Sequence, residues 1–264
     1  MAELAIIQAA AHWSALQWSA MLALAALGGL MHGFVGIGLP LLATPLLALI
    51  IGFQNAVIVL VAPSMAVIAC TFFTYRGALA PGDSLRRFWP FLVTAPLGTY
   101  AGVRAFYALD PRLLMAMLAL VVVVYLAIDR LGRVRAGVIR RHPLAFAFAF
   151  GFAGGLTEGA VNVGAPPFLI FFLLLEAPVA SIIVILNFMF AVGKSIQAAL
   201  LANHGAFSHA LLVTCIPLSM AATAGFSLGL HLRRRHDPER YRVWLKQTLA
   251  LMAVILLARA AFGS

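Results

Sequence analysis

Three ionisable residues stand inside long apolar stretches of this sequence, and they indicate where its chemistry takes place. Lys194 lies well inside the apolar block 179–201, and Glu158 and His32 lie in two other apolar blocks. A charge in an apolar environment is costly, so such residues are functional candidates by default. A buried lysine offers a positive charge to an anion, whereas a histidine or a glutamate can carry a proton.

Each of these residues also has a structural interpretation. Lys194 either faces a binding pathway together with Asn187, one heptad earlier, or snorkels to an interface or forms a structural ion pair. Glu158 either pairs with Lys194, carries a coupling proton or faces the cytoplasmic mouth. His32 either titrates near a site or packs as a neutral ring.

The elements that position these residues are predicted to be membrane helices. Of the 264 residues, 64% are hydrophobic and only 10% are charged, whereas a soluble domain is about half apolar and about a quarter charged. No Lys, Arg, Asp or Glu occurs between Glu3 and Arg76, a stretch far longer than the roughly 20 residues of one spanning helix. The composition argues against a soluble enzyme, a disordered chain and a nucleic-acid partner, and indicates an all-α protein in a lipid bilayer.

Glycine and proline divide the apolar sequence, and two of the blocks are interrupted internally. The first comprises a helix, a break, a short second arm and a turn, at 14–35, 36–40, 41–51 and 52–55. The second, 144–175, is broken from Gly159 through Pro167. The uninterrupted blocks are 56–75, 88–108, 112–128, 179–201, 208–230 and 243–261.

The two broken blocks align with each other, which indicates an internal repeat. Gly33 through Pro40 matches Gly159 through Pro166, 126 residues later, and the dipeptide Asp110-Pro111 recurs 127 residues later as Asp237-Pro238. Duplication with broken helices is typical of transporters. The two halves of a channel or of a membrane enzyme are the alternative.

The basic loops predict how the halves are oriented. Segments 129–143 and 231–246 carry most of the Arg residues, and the positive-inside rule places both in the cytoplasm. Between them lie block 144–175 and the two uninterrupted blocks 179–201 and 208–230, which cross the membrane twice. The two basic segments therefore share a side only if block 144–175 crosses an even number of times, as a re-entrant hairpin or as two short spans. Arms of about 15 residues would be roughly 22 Å long, shorter than the roughly 30 Å apolar core, which favours the re-entrant form.

The internal repeat and the loop charges together predict the fold. We expect two inverted-topology repeats, each with one broken, re-entrant helical hairpin and three transmembrane helices. Each half crosses the membrane three times, which is an odd number. The second half therefore begins on the opposite side from the first and has the inverted orientation. The predicted divisions are a first membrane repeat at 1–128, a basic cytoplasmic connector at 129–143 and a second membrane repeat at 144–264.

The broken hairpins are predicted to form a site for a small anion. Helix N-termini following each break, near Pro40 and Pro166, present unpaired N–H groups and the positive end of the helix dipole. The alternative is that the glycines serve only a turn or helix packing. The candidate substrate-binding residues are Gly36, Gly38, Thr44, Ser64, Asn162, Gly164, Asn187 and Lys194. His32 and Glu158 are the candidates for proton coupling or gating. Neither a metal site nor a cofactor is predicted, because the histidine pairs are spaced off one helical face and no nucleotide loop occurs.

These motifs resemble those of a known family. His32 through Leu46 resembles the first-repeat motif of the TauE/SafE sulfite-exporter-like family, and Gly159 through Pro167 resembles its second-repeat motif in the double-Pro form. The Asp-Pro dipeptides, and Asn187 followed by Lys194, are also similar, so the resemblance covers about residues 15–261. It implies a bacterial inner-membrane, multi-pass permease for sulfite, sulfonates or related organosulfur anions.

The sequence departs from the family pattern on the predicted substrate face. Leu39-Pro40 and Ala165-Pro166 replace the usual Gly-Gly. Glu158 stands where a small polar residue is common, and Asn162 where Gly is common. These departures favour a small anion as the substrate class over sulfite in particular.

The resulting hypothesis is a secondary transporter, an exporter or permease, that moves a small anion by rocking of the two halves, driven by the proton motive force. No activated nucleophile or paired carboxylate occurs, so an enzymatic role is not predicted. An anion channel, an integral-membrane enzyme and an accessory subunit are the alternatives. Substrate identity, direction of transport and oligomeric state are left open.

Overall fold

The computed structural model describes residues 13–75, 89–127, 141–174, 179–207 and 209–233, together with residues 247, 250 and 254. The main ranges are almost entirely helical and contain no strand. The helices are α1 Ala15–Val35, α2 Leu39–Ile51, α3 Phe53–Val59, α4 Val61–Tyr75, α5 Trp89–Ala108, α6 Pro111–Leu126, α7 Pro143–Val161, α8 Ala165–Leu174, α9 Val179–Asn203 and α10 His209–Arg233.

Local signals in the sequence account for several helix ends. Ser14 begins α1 with a capping box, in which its side chain accepts from the backbone of Gln17 and the Gln17 side chain accepts from its backbone. Asp110 begins α6, with Pro111 in the first turn, and its carboxylate accepts a 2.7 Å hydrogen bond from the Arg112 N–H. Both arrangements satisfy donors that a helix start leaves unpaired.

Within the described residues, five helical segments are long and apolar enough to cross a membrane, as expected for a multi-pass membrane protein. They are Ala15–Val35, Phe53–Tyr75, Pro143–Val161, Ile182–Asn203 and Leu211–Arg233. The predicted all-α membrane fold is therefore confirmed. The inverted orientation of the repeats stays a prediction, as do the boundaries of the three divisions of the chain. Most of segments 129–143, 231–246 and 243–261 lies outside the described residues.

The first broken block has the long first arm and the short second arm that its sequence predicts, since α1 contains 21 residues and α2 contains 13. The second broken block differs from the expectation, because α7 contains 19 residues and α8 contains 10. The expectation of two arms of about 15 residues each was wrong for this block because the break lies closer to one end of it. The predicted turn at 52–55 is also shorter, since Gly52 alone interrupts the helix and Phe53 begins the next one.

Two helix pairs hold the halves together through glycine. A methyl group added at Gly29 or Gly33 of α1 would collide with backbone atoms of α10, and one added at Gly225 or Gly229 of α10 would collide with α1. Such Gly-x-x-x-Gly spacing lets membrane helices approach with their backbones in contact.

The second pair, α5 with α7, repeats this contact. Gly98 and Gly102 of α5 lie against the backbone of α7, and Gly155 and Gly159 of α7 lie against the backbone of α5. Helices α1 and α7 are repeat equivalents, and so are α5 and α10. Each half thus supplies its broken helix to one tight pair and its unbroken helix to the other, as an approximate twofold relation between the halves would produce.

Candidate functional site

Both broken blocks change direction through residues in the left-handed region of backbone space. Gly36 ends α1 with φ 92°, and Gly38 precedes α2 with φ 133°. In the second block Asn162 ends α7 with φ 65° and is the only non-glycine residue with positive φ in the described part of the chain. Asparagine tolerates this conformation better than most residues. The second break therefore carries an amide side chain where the aligned position of the first break carries Gly36.

The two breaks converge on one cavity. Its polar side chains come from α1, α4, α7, α9 and the second break, and its other lining residues come from both breaks and from α2, α4, α8 and α9. The polar side chains are His32, Ser64, Glu158, Asn162 and Lys194; the other lining residues are Gly38, Pro40, Leu41, Ile68, Val163, Gly164, Ala165 and Phe190. The centre of a water molecule can occupy about 20 Å³ of this cavity, which is room for about one water molecule.

On the second-repeat side, Glu158 and Lys194 form a buried ion pair. Their side chains are 3% and 0% exposed, and a Glu158 carboxylate oxygen lies 2.5 Å from the Lys194 Nζ. The other carboxylate oxygen accepts a 2.8 Å hydrogen bond from the backbone N–H of Gly164, the residue immediately before α8. We call Glu158, Gly164 and Lys194 the second half-site.

Two amide side chains complete the surroundings of Lys194. Its Nζ donates to the side-chain oxygen of Asn162 and, at 2.8 Å, to that of Gln197. Gln197 in turn donates to the backbone carbonyls of Glu158 and Gly159, at 3.4 and 3.3 Å. The Lys194 ammonium thus has two amide acceptors and one carboxylate in ion-pair contact, which is how a buried lysine is compensated.

On the first-repeat side the polar groups are less satisfied. Gly38 precedes α2, and no side chain caps that helix. Among the described residues that line the cavity, Ser64 Oγ, His32 Nδ1 and Glu158 Oε1 are buried atoms without a hydrogen-bond partner, and of these only the Glu158 oxygen has an ion-pair contact, with Lys194. Buried polar atoms are rarely unpaired in proteins, so the other two point to a missing partner. We call His32, Gly38 and Ser64 the first half-site.

Asn187, which lies outside the cavity lining, determines which ring nitrogen of His32 carries a hydrogen. Its amide nitrogen donates to the carbonyls of Gly36 and Ile183, at 3.0 and 2.8 Å. The amide oxygen therefore faces His32 Nε2, 3.1 Å away, and this ring nitrogen must carry a hydrogen. In the neutral ring Nδ1 is then a bare acceptor.

The structure brings most of the predicted site residues together. Seven of the ten line the cavity, and the other three lie behind it. Thr44 accepts a hydrogen bond from Asn162, and Gly36 accepts one from Asn187, which itself contacts His32. Whether these residues bind a substrate stays a prediction.

Sequence reasoning missed two kinds of contributor. Thr71, whose hydroxyl lies 3.3 Å from His32 Nε2, gave no signal because it is an ordinary residue of an apolar helix. The glycine pairs did carry a signal, the four-residue spacing that is typical of close helix contacts.

Helices broken at a buried polar cavity, within an all-α bundle of apolar helices, define a class of integral membrane proteins that move small solutes. The family model described as Sulfite exporter TauE/SafE matches residues 21–257. The chain belongs to this family of membrane transporters. Comparisons with curated proteins and with solved structures found no match.

Proposed function

We propose that this protein is a secondary transporter, an exporter or permease, for a small anion such as sulfite or an organosulfonate. It would act in the bacterial inner membrane and catalyse no covalent reaction. One observation carries the proposal: the starts of two helices, a buried lysine and two unpaired buried polar atoms surround a single cavity.

The lining is suited to a small oxyanion. The starts of α2 and α8 direct the positive ends of two helix dipoles to the cavity, and Lys194 adds a full positive charge. The Ser64 hydroxyl can donate to a bound oxygen. The apolar remainder, including Ile68 and Phe190, would accommodate a carbon substituent such as that of a sulfonate.

Proton coupling is the proposed source of energy. The sequence has no nucleotide loop, and two groups at the cavity can change protonation, His32 and Glu158. The bare His32 Nδ1 acceptor would repel an anion, whereas a proton added there makes it a donor to that anion. Binding an anion at the first half-site would thus favour uptake of a proton by His32. Alternating access of the cavity to the two sides of the membrane would complete the cycle.

The test is flux in liposomes that contain the purified protein, with sulfite and methanesulfonate as probes. We expect saturable uptake, absent from empty liposomes and accelerated by an inward proton gradient. Flux that rises without saturation would instead favour a channel. No flux of any small anion in either direction would contradict the proposal.

A further inference from the structure

We propose that Glu158 is a tethered competitor of the transported anion: its carboxylate occupies the anion position of the second half-site, and a substrate reaches Lys194 only by displacing it. This inference rests on the proposed function, because it assumes that an anion enters the cavity.

The contacts of Glu158 are those of a bound anion. One of its oxygens accepts from the backbone N–H of Gly164, immediately before α8, and the other contacts the Lys194 ammonium. A helix start together with a lysine is what an anion from solution would seek. The side chain is held by one helix, α7, while its ligands belong to α9 and to the loop before α8.

The first half-site is the repeat equivalent of the second, and it has no carboxylate at the start of its helix. By the alignment of the repeats, Gly38 is equivalent to Gly164, and His32 is equivalent to Glu158. No side chain caps α2, and the nearby Ser64 hydroxyl has no partner among the described residues. The repeat thus presents one anion position that the protein fills itself and one that it leaves open.

The size of the cavity leads to the same conclusion. Space for about one water molecule does not hold an oxyanion of four or more heavy atoms beside the Glu158 side chain. Rotation of this side chain away from Gly164 would enlarge the cavity and release Lys194 in one movement. Two anions beside one lysine would repel each other, so the carboxylate must move clear of Lys194 when the substrate binds there.

The charges around Glu158 allow this exchange. Lys194 on α9 pairs with it, and His32 lines the same cavity from α1. Of the other helices packed on α7, α5 carries Arg104 and α6 carries Arg112, both exposed to the outside of the fold, and α8 carries no ionisable residue. Lys194 is therefore the nearest cation that a displaced carboxylate would give up.

The experiment measures thermal stability of the purified protein against sulfite concentration, with gluconate replacing sulfite in the reference. Glu158→Gln removes the competing charge and keeps the volume, so we expect the apparent Kd for sulfite to fall about tenfold relative to the unaltered protein. Glu158→Ala leaves a space, so we expect formate to stabilise this variant and not the unaltered protein. Lys194→Met should abolish both effects.

The outcomes separate the two proposals. If the unaltered protein binds sulfite and Glu158→Gln binds it no more tightly, the tethered competitor is wrong while the transport function stands. If no anion is bound or transported by the unaltered protein, the transport function is wrong. Should Glu158→Gln purify unfolded in gluconate, the double variant Glu158→Gln/Lys194→Met, which carries neither charge, provides the control. The inference is supported if the double variant folds in gluconate and Glu158→Gln folds when sulfite is present. It is overturned if sulfite fails to restore folding of Glu158→Gln and formate fails to restore folding of Glu158→Ala.

Discussion

The carboxylate of Glu158 and the ammonium of Lys194 lie 2.5 Å apart, and both side chains are buried. The pair links α7 to α9 within one half of the chain and presents a nearly neutral wall to the cavity. An anion that enters therefore meets a lysine whose charge is already compensated.

The buried pair predicts a strong non-additivity of stability. Lys194→Met alone leaves the Glu158 carboxylate without its counter-ion, and breaking a buried pair in this way costs about 3–5 kcal/mol. The double variant Glu158→Gln/Lys194→Met leaves no buried charge, so its free energy of unfolding should lie near that of the unaltered protein. Thermal unfolding in gluconate measures all four members of the cycle. Additive losses would show that the two side chains do not act as a pair.

Ser64 is predicted to contribute to anion affinity and not to stability. Its hydroxyl lines the cavity and has no hydrogen-bond partner among the described residues, so Ser64→Ala removes nothing from the empty protein. A hydrogen bond to a charged group contributes about 1.5–3 kcal/mol, so the KM for sulfite flux should rise at least about tenfold. Ser227→Ala, at an exposed serine of α10, is the matched control and should change neither quantity. An unaltered KM would remove Ser64 from the site.

The glycine contact between α5 and α7 is predicted to be intolerant of a single methyl group. A Cβ at Gly155 would overlap the carbonyl oxygen of Ala95, so Gly155→Ala must push the two helices apart. Overpacking of this kind costs about 1–3 kcal/mol, which thermal unfolding would detect. Gly193→Ala is the control, because its new methyl would meet no backbone atom of another helix. Its nearest neighbour would be a side-chain atom, Glu158 Cγ, at 3.3 Å, so the loss of stability should be smaller. Equal stability of the two variants would argue against the tight contact.

The charge distribution predicts that segments 129–143 and 231–246 lie on the same, cytoplasmic side. The measurement is labelling of single cysteines introduced in each segment, in a protein whose Cys70 and Cys215 have been replaced. We expect both positions to react with a membrane-impermeant reagent only from the cytoplasmic face. Reaction from opposite faces would rule out the inverted arrangement.

The breaks and the polar residues of the cavity could be predicted from the sequence because each differs in residue type from the apolar sequence around it. Glycine and proline in an apolar block predict that the helix stops, and Lys194 and Glu158 stand out since a membrane segment rarely carries a charge. These signals are local, so one chain suffices to find them. The alignment of the repeats then indicated that both breaks belong to one site.

The sequence was less informative about the partners of these residues: it offered the Glu158–Lys194 pair as one of several alternatives, and it did not indicate the contact of Asn187 with His32. Asn187 and Lys194 share one face of α9, yet Asn187 contacts His32 and Lys194 contacts Glu158, on the two different broken helices. That choice depends on how α9 lies between the halves, which no spacing within α9 encodes. Similarly, the five Gly-x-x-x-Gly motifs of the sequence predict close helix contacts but not which helices pair.

The two glycine contacts have a consequence for any movement of this protein. Each joins a broken helix of one half to an unbroken helix of the other, so the halves of the chain are interlocked and separating them would open both backbone contacts at once. The α1–α10 pair and the α5–α7 pair make backbone contacts between the halves, and the cavity receives His32 from the first pair and Glu158 from the second. A movement that keeps both contacts intact would carry each pair as a unit, and it would therefore not follow the boundary between the two repeats.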